Sequence, residues 1–193
     1  ESPMGIAAII LVVTLATSLA ALYGSPRIIE HCLFRPYWFL RRRQYATIVT
    51  SGLVHADLPH LIFNLITFYF FAFQLEKQIG GARFAALYLI GLVVSDAGTY
   101  FKHRNDQDYA SLGASGAISA VLFASIVYFP WQKLFIIPIP VPIPAPIFAI
   151  GYVAYSWYSA RQARGRINHD AHLGGALFGL AFVAITDPGA YRQ

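Results

Sequence analysis

The twenty residues from Met4 to Tyr23 include no charged side chain. At about 1.5 Å of rise per residue, a helix of this length covers the roughly 30 Å hydrocarbon core of a bilayer. The run therefore predicts a transmembrane helix. A cleaved signal peptide is the alternative, but Glu1 stands where such a peptide carries basic residues, and further apolar runs follow.

Five more apolar runs predict a bundle of membrane helices. The second run opens with Asp57 at an N-cap position and Pro59 in the first turn, a combination typical of a helix start. We expect one all-α membrane domain over residues 1–193. Its six transmembrane helices are predicted at about residues 4–23, 58–75, 84–101, 115–131, 147–160 and 169–186.

The composition supports this fold class and excludes others. Charged residues make up 12% of the chain and apolar residues 57%, whereas soluble domains carry roughly 25% charge. A disordered chain is therefore excluded and an ordinary soluble domain is disfavoured, and a single cysteine, Cys32, excludes a disulfide scaffold. The net charge of +5 sits in short clusters between apolar runs, so we predict no nucleic-acid partner.

Alternating proline shapes the segment before the fifth helix. Proline occupies every second position of residues 137–146, and each ring removes a helix donor and favours extended geometry in the residue before it. The fifth helix is therefore expected to begin near Pro146 or Ile147. About fifteen residues would remain before Arg161, which predicts a helix too short to cross the hydrocarbon core fully.

Unusual polar residues stand at the starts of helices two, four and six, which lie on the same side of a six-helix bundle. In helix two, His60 and Asn64 are four residues apart and share one face, and His55 precedes them. Polar side chains inside a membrane are costly unless they face the bundle interior or a water-filled cavity. We expect these side chains to point inward.

Helix four begins at a serine between glycines, in the sequence Gly113-Ala114-Ser115-Gly116. Free backbone N–H groups and the helix dipole favour negative charge there. Taken alone, such a serine is most simply an N-cap. Small residues recur along the same helix at Gly116, Ala120 and Ala124.

Helix six carries His172 above a second stripe of small residues, Gly175 and Gly179. Two such stripes let helix backbones approach closely enough for a serine hydroxyl to reach an imidazole. The pattern predicts a Ser115–His172 dyad, with serine as nucleophile and histidine as base and then acid. Oxyanion donors would be the Ser115 N–H group, His60 and Asn64. Asp170 is two residues from His172 and points away from it, which disfavours a triad.

These motifs together resemble the rhomboid intramembrane serine proteases. The resemblance rests on His55-x4-His60-x3-Asn64, on Gly113-x-Ser115-Gly116 and on His172-x2-Gly175-x3-Gly179, with Glu76 at a further family position. It implies a six-helix bundle that cleaves peptide bonds in or near the transmembrane segments of other membrane proteins.

The resemblance also assigns roles to these positions. Ser115 and His172 would form the catalytic dyad, with His60 and Asn64 in the oxyanion hole and His55 and Glu76 as structural residues. It implies no cofactor and no metal, and as partners the lipid bilayer and transmembrane substrates. The chain departs from the family pattern at Ala46 and Thr47, where a Trp-Arg pair is frequent, and at Ser119, where relatives place an aromatic ring beneath the histidine.

Two other functions remain open at this stage. His55, His60, His169 and His172 could supply nitrogen ligands for a metal in the membrane. A catalytically silent relative acting as a membrane chaperone or adaptor is the second alternative, although such relatives typically lack the serine or the histidine, and both are present here.

The resemblance implies a multi-pass protein of a bacterial cytoplasmic (inner) membrane, with its catalytic face outside the cytoplasm. The distribution of basic residues argues against that orientation, because ten lie on the catalytic side and four on the other, and such residues concentrate in cytoplasmic loops. The ten are Arg27, Arg35, Arg41, Arg42, Arg43, Lys102, Arg104, Arg161, Arg164 and Arg166.

Overall fold

The computed structural model describes residues 4–134, 141–162 and 168–192, and Arg164, Arg166 and residues 137–140 of the proline run lie outside them. The chain is an all-α membrane bundle. Its N-terminal half contains α1 (Ile6–Leu19), a π-helical turn (Ala20–Gly24), α2 (Pro26–Cys32), α3 (Pro36–Arg41), α4 (Thr47–Thr50), a 3₁₀ turn (Ser51–Leu53), α5 (Leu58–Ile79) and α6 (Gly81–His103). The remainder contains α7 (Ser115–Tyr128), β1 (Lys133–Leu134), β2 (Ile143–Pro144), α8 (Ala145–Gln162), α9 (His169–Thr186) and a 3₁₀ turn (Pro188–Arg192).

Helices α1, α5, α6, α7, α8 and α9 correspond to the six predicted membrane helices. Within the described ranges, three segments are long and apolar enough to cross a bilayer alone, namely Ile6–Gly24, Leu58–Ile79 and Gly81–His103. Helix α7 is apolar but only 14 residues long. It ends at Tyr128, three residues before the predicted end, because Pro130 disfavours helical geometry in the residue before it.

Helix α7 is the central helix of the bundle. Its residues from Gly116 to Tyr128 are all buried, and α5, α6 and α9 pack around it. A helix that is apolar on every side is stable only when neighbours cover every side. Residues at the start of α7 therefore lie inside the protein and close to the starts of the helices that surround it.

Helix α8 is longer than the fifth helix that the sequence predicts. Helix α8 has 18 residues and begins at Ala145, earlier than Pro146. A small antiparallel pairing makes this start possible, since β1 aligns Lys133 with Pro144 and the Ala145 N–H group donates to the Gln132 carbonyl at 3.0 Å. Pro146 then occupies the first turn, where its missing N–H group costs nothing.

Candidate active site

Ser115 is the first residue of α7, and the chain reaches it through a left-handed glycine. Gly113 has a φ of +108°, and its N–H group donates to the Ser51 carbonyl at 2.9 Å. A methyl group at this position would lie 2.8 Å from His60 Cε1. Glycine is therefore required on two counts, and the His60 ring lies against the loop two residues before Ser115.

The two stripes of small residues bring α7 and α9 into backbone contact. A methyl group at Gly175 would overlap the Gly116 carbonyl oxygen, and one at Gly179 would overlap the Ala120 carbonyl oxygen. At the helix starts, a methyl group at Gly116 would lie 3.2 Å from the Ala171 carbonyl oxygen. Ser115 and His172 are thus each one residue away from a point where the two helices touch.

Asn168 ties the start of α9 to α6. Its side-chain oxygen accepts from the Ala171 N–H group at 3.1 Å, and its backbone carbonyl accepts from the His172 N–H group at 3.2 Å. Its Nδ2 donates to Thr99 Oγ1, a fully buried atom of α6, at 2.7 Å. Lys102 adds a second link through an ion pair with Asp170 at 2.6 Å.

Asn64, His60, His169 and His172 lie in the first two turns of their helices, and His55 precedes α5 by three residues. The Asn64 side chain is 4% exposed, and within the described ranges its Nδ2 has no hydrogen-bond partner. A buried donor without a partner is costly, so its presence calls for an explanation. The His55 and His60 rings meet edge to face at 5.0 Å, and those of His169 and His172 at 5.7 Å.

His55 and Glu76 make long-range contacts with α1. His55 is fully buried, and its Nδ1 pairs with Ser18 Oγ at 2.9 Å. Burial lowers the pKa of His55 to about 3, so the ring is neutral at physiological pH. Glu76 accepts from the Ile6 N–H group at 2.7 Å and from the Ala7 N–H group at 3.0 Å, so its carboxylate satisfies two of the free donors of α1.

A small polar cavity adjoins Ser115. It has room for about one water molecule, and Ser51, Ser95, Asp96 and Asn168 are among the residues that line it. Ser51 Oγ lies 3.4 Å from Asp96 Oδ2. The cavity gives the start of α7 a polar surface inside an otherwise apolar bundle.

A metal site finds no support in the part of the chain that the structure describes. There, no group of three or more histidine, cysteine, aspartate or glutamate side chains is placed to hold an ion. His55 and His60 form one edge-to-face pair and His169 and His172 another.

The contacts of Asn168, Thr99, Ser18 and Lys102 escaped the sequence analysis. Each joins residues that are 37 or more positions apart, and no local spacing connects them. Only the capping role of Asn168 has a local sequence signal. An asparagine three residues before Ala171 is a typical N-cap, and it marks the start of α9.

Comparison with known proteins agrees with the bundle and its motifs. The rhomboid domain family matches residues 42–188. The chain belongs to the rhomboid family. Among its relatives, presenilin-associated rhomboid-like protein A, mitochondrial, of Danio rerio is 34% identical over 138 residues, which are 70% of this chain and 36% of that protein.

Two more relatives extend the match within the rhomboid family. Rhomboid protein 1, mitochondrial, of Saccharomyces cerevisiae is 28% identical over 176 residues, or 84% of this chain and 49% of that protein. RHOMBOID-like protein 12, mitochondrial, of Arabidopsis thaliana is 28% identical over 164 residues, which are 76% of this chain and 48% of that protein. The chain spans about a third to a half of the length of these relatives.

The prediction of a bacterial cytoplasmic membrane is wrong. These three rhomboid relatives, which match most of the chain, all carry mitochondrial names. The motifs define the rhomboid family but do not encode the compartment, and that expectation came from the resemblance alone. The extracytoplasmic catalytic face was part of the same prediction and does not carry over to a mitochondrial membrane.

Proposed function

We propose that this rhomboid is a serine endopeptidase of a mitochondrial membrane that cleaves transmembrane proteins. The observation that carries the proposal is the contact between α7 and α9, where Gly116 meets the Ala171 carbonyl. Ser115 and His172 flank this contact. A hydroxyl becomes a useful nucleophile when an imidazole nearby takes its proton, and the close approach of the two helix starts supports pairing Ser115 with His172 in these roles.

In the first half of the proposed reaction, Ser115 Oγ attacks the carbonyl carbon of the scissile peptide bond while His172 accepts the hydroxyl proton. The tetrahedral intermediate carries its negative charge on the former carbonyl oxygen. Asn64 Nδ2, buried and without a partner within the described ranges, is available to donate to that oxygen, together with the Ser115 N–H group and His60. Collapse of the intermediate breaks the C–N bond, and His172 returns the proton to the leaving amine.

In the second half, water hydrolyses the ester between Ser115 and the substrate. His172 takes a proton from the water, the hydroxide attacks the ester carbonyl, and the proton returns to Ser115 Oγ as the carboxylic acid leaves. Water must therefore reach a site inside the bundle. The polar cavity beside Ser115 is a suitable place to hold it.

Covalent labelling tests the nucleophile directly. We expect a serine-directed fluorophosphonate probe to label the detergent-solubilised chain once, at Ser115, and Ser115→Ala to lose the label. Ser125→Ala is the matched control, because it removes another buried hydroxyl of α7 at a distance from the helix start, and it should label like the wild type. Labelling that persists in Ser115→Ala would refute the assignment, and a wild-type chain that never reacts would favour a silent membrane chaperone.

A further inference from the structure

A cluster of arginines, defined here as Arg41, Arg42, Arg43 and Arg104, lies at the end of α6. Arg41 Nη1 donates to the Arg104 carbonyl at 3.3 Å, which joins the end of α3 to the end of α6. Because α6 is long and apolar enough to span a bilayer and ends at His103, we expect the cluster to lie at the membrane boundary. The proposed catalytic chemistry makes no use of these residues.

Aromatic rings support two of these guanidinium groups. Arg41 Cζ lies 3.9 Å from the centre of the Tyr37 ring, and Arg42 Cζ lies 3.8 Å from that of Trp38. Such cation–π contacts hold a guanidinium in place. Arg41 Nη1 also donates to the Tyr37 carbonyl at 2.7 Å, so a further partner would meet the other N–H groups of Arg41. Arg43 follows with a φ of 54°, a left-handed geometry that turns the chain at the end of α3.

The surroundings of the arginine cluster are apolar as well as basic. Leu40 is 53% exposed and Phe101 is 68% exposed. Exposed apolar and aromatic side chains beside arginine are typical of residues at the level of lipid headgroups. The nearby loop carries the carboxylates of Asp106 and Asp108, so the four arginines leave the region with a positive charge.

We propose that the arginine cluster binds the phosphate groups of anionic phospholipids. Guanidinium groups match phosphate oxygens in a two-pronged geometry, and basic clusters next to a membrane helix are attracted to negatively charged lipid surfaces. The proposal accounts for the basic residues at this end of the bundle through lipid binding. It does not depend on the proposed protease activity.

Quenching of Trp38 fluorescence by brominated lipids tests this proposal. In the full chain carrying Trp131→Phe and Trp157→Phe, Trp38 is the one remaining tryptophan of three. We expect brominated phosphatidylglycerol to quench Trp38 at least about tenfold more effectively than brominated phosphatidylcholine at low salt. The preference should fall steeply in high salt.

Removing charge from the arginine cluster, and separately from basic residues elsewhere, tests whether the lipid preference depends on this cluster. Arg41→Gln, Arg42→Gln and Arg43→Gln combined should abolish the preference, whereas Lys77→Gln, Arg83→Gln and Lys133→Gln combined remove three charges elsewhere and should retain it. Equal quenching by the two lipids in the wild type would overturn the proposal and favour an acidic protein partner. Displacement of phosphatidylglycerol by an equal concentration of inorganic phosphate would overturn it in favour of a free phosphate ligand.

A separate observation concerns Asn168, and this second inference depends on the proposed function. We infer that Asn168 is a positioning residue for His172. Its backbone carbonyl holds the His172 N–H group, its side-chain oxygen caps α9, and its Nδ2 anchors both to Thr99 of α6. This bridge fixes the backbone position from which the His172 side chain extends.

The kinetics of Asn168 variants distinguish positioning from general stability. We expect Asn168→Ala to lower kcat about 10²-fold with little change in KM, because a small displacement of the base affects the reacting geometry and not substrate binding. Asn168→Asp keeps the capping oxygen, and the Thr99 hydroxyl can turn its hydrogen from the Ser95 carbonyl to the new carboxylate, so this variant should recover most of the activity. Equal activity of Asn168→Ala and wild type, with Ser115→Ala inactive, would refute the positioning role alone. An active Ser115→Ala would refute the proposed function itself.

Discussion

Replacing Ser115 or His172 by alanine is expected to abolish cleavage of a reporter transmembrane substrate. Each change removes one half of the proposed nucleophile–base pair, and the two halves act as a unit, so either loss should reduce kcat by at least about 10³-fold. The measurement is cleavage by the purified chain reconstituted in liposomes. Neither residue caps a helix through its side chain, so thermal unfolding should change little.

His31→Ala is the matched control for the imidazole, because His31 is exposed and lies in α2 away from the cavity. It should cleave like the wild type. Asn64→Ala provides an intermediate case and should lower kcat by about 10²–10³-fold, since it removes one of three expected oxyanion donors. Full activity in His172→Ala would contradict the dyad, and full activity in Asn64→Ala would contradict only its place in the oxyanion hole.

The sequence predicts the bundle well because its signals are local. An apolar run predicts each helix of this rhomboid, and for α5 a start signal adds to it, since Asp57 caps this helix by accepting from the His60 N–H group at 2.8 Å. The contact between α7 and α9 is also encoded locally, as two stripes with a spacing of three to four residues. The spacing of these small residues along each helix indicates which face of α7 packs against which face of α9.

Other features of the site depend on contacts between distant parts of the chain. Nothing in the residues near Thr99 indicates that its hydroxyl will meet Asn168, 69 positions later. Likewise, Glu76 reaches the N–H groups of α1 only because the bundle brings the end of α5 to the start of α1. The early start of α8 has the same kind of cause, since a strand pairing supports it and no helix signal announces it.

Gly175→Ala is expected to lower both the stability of the fold and the rate of cleavage. Its new methyl group would overlap the Gly116 carbonyl oxygen, an atom of a buried backbone that cannot rotate away. The helices must then separate, which should lower the free energy of unfolding by about 1–3 kcal/mol despite the better helix propensity of alanine. The same separation moves the start of α9 away from Ser115, and a displacement of about 1 Å costs roughly 10²-fold in rate.

Gly174→Ala makes the test specific to the contact between the helices. It adds the same methyl group one position earlier in the same helix, where the nearest atom, Ser95 Cα, would lie 3.6 Å away, an ordinary contact distance. Thermal unfolding and cleavage should therefore stay at or above wild-type levels for Gly174→Ala and fall together for Gly175→Ala. If both variants cleave like the wild type, the close approach of α7 and α9 is not what brings Ser115 and His172 together.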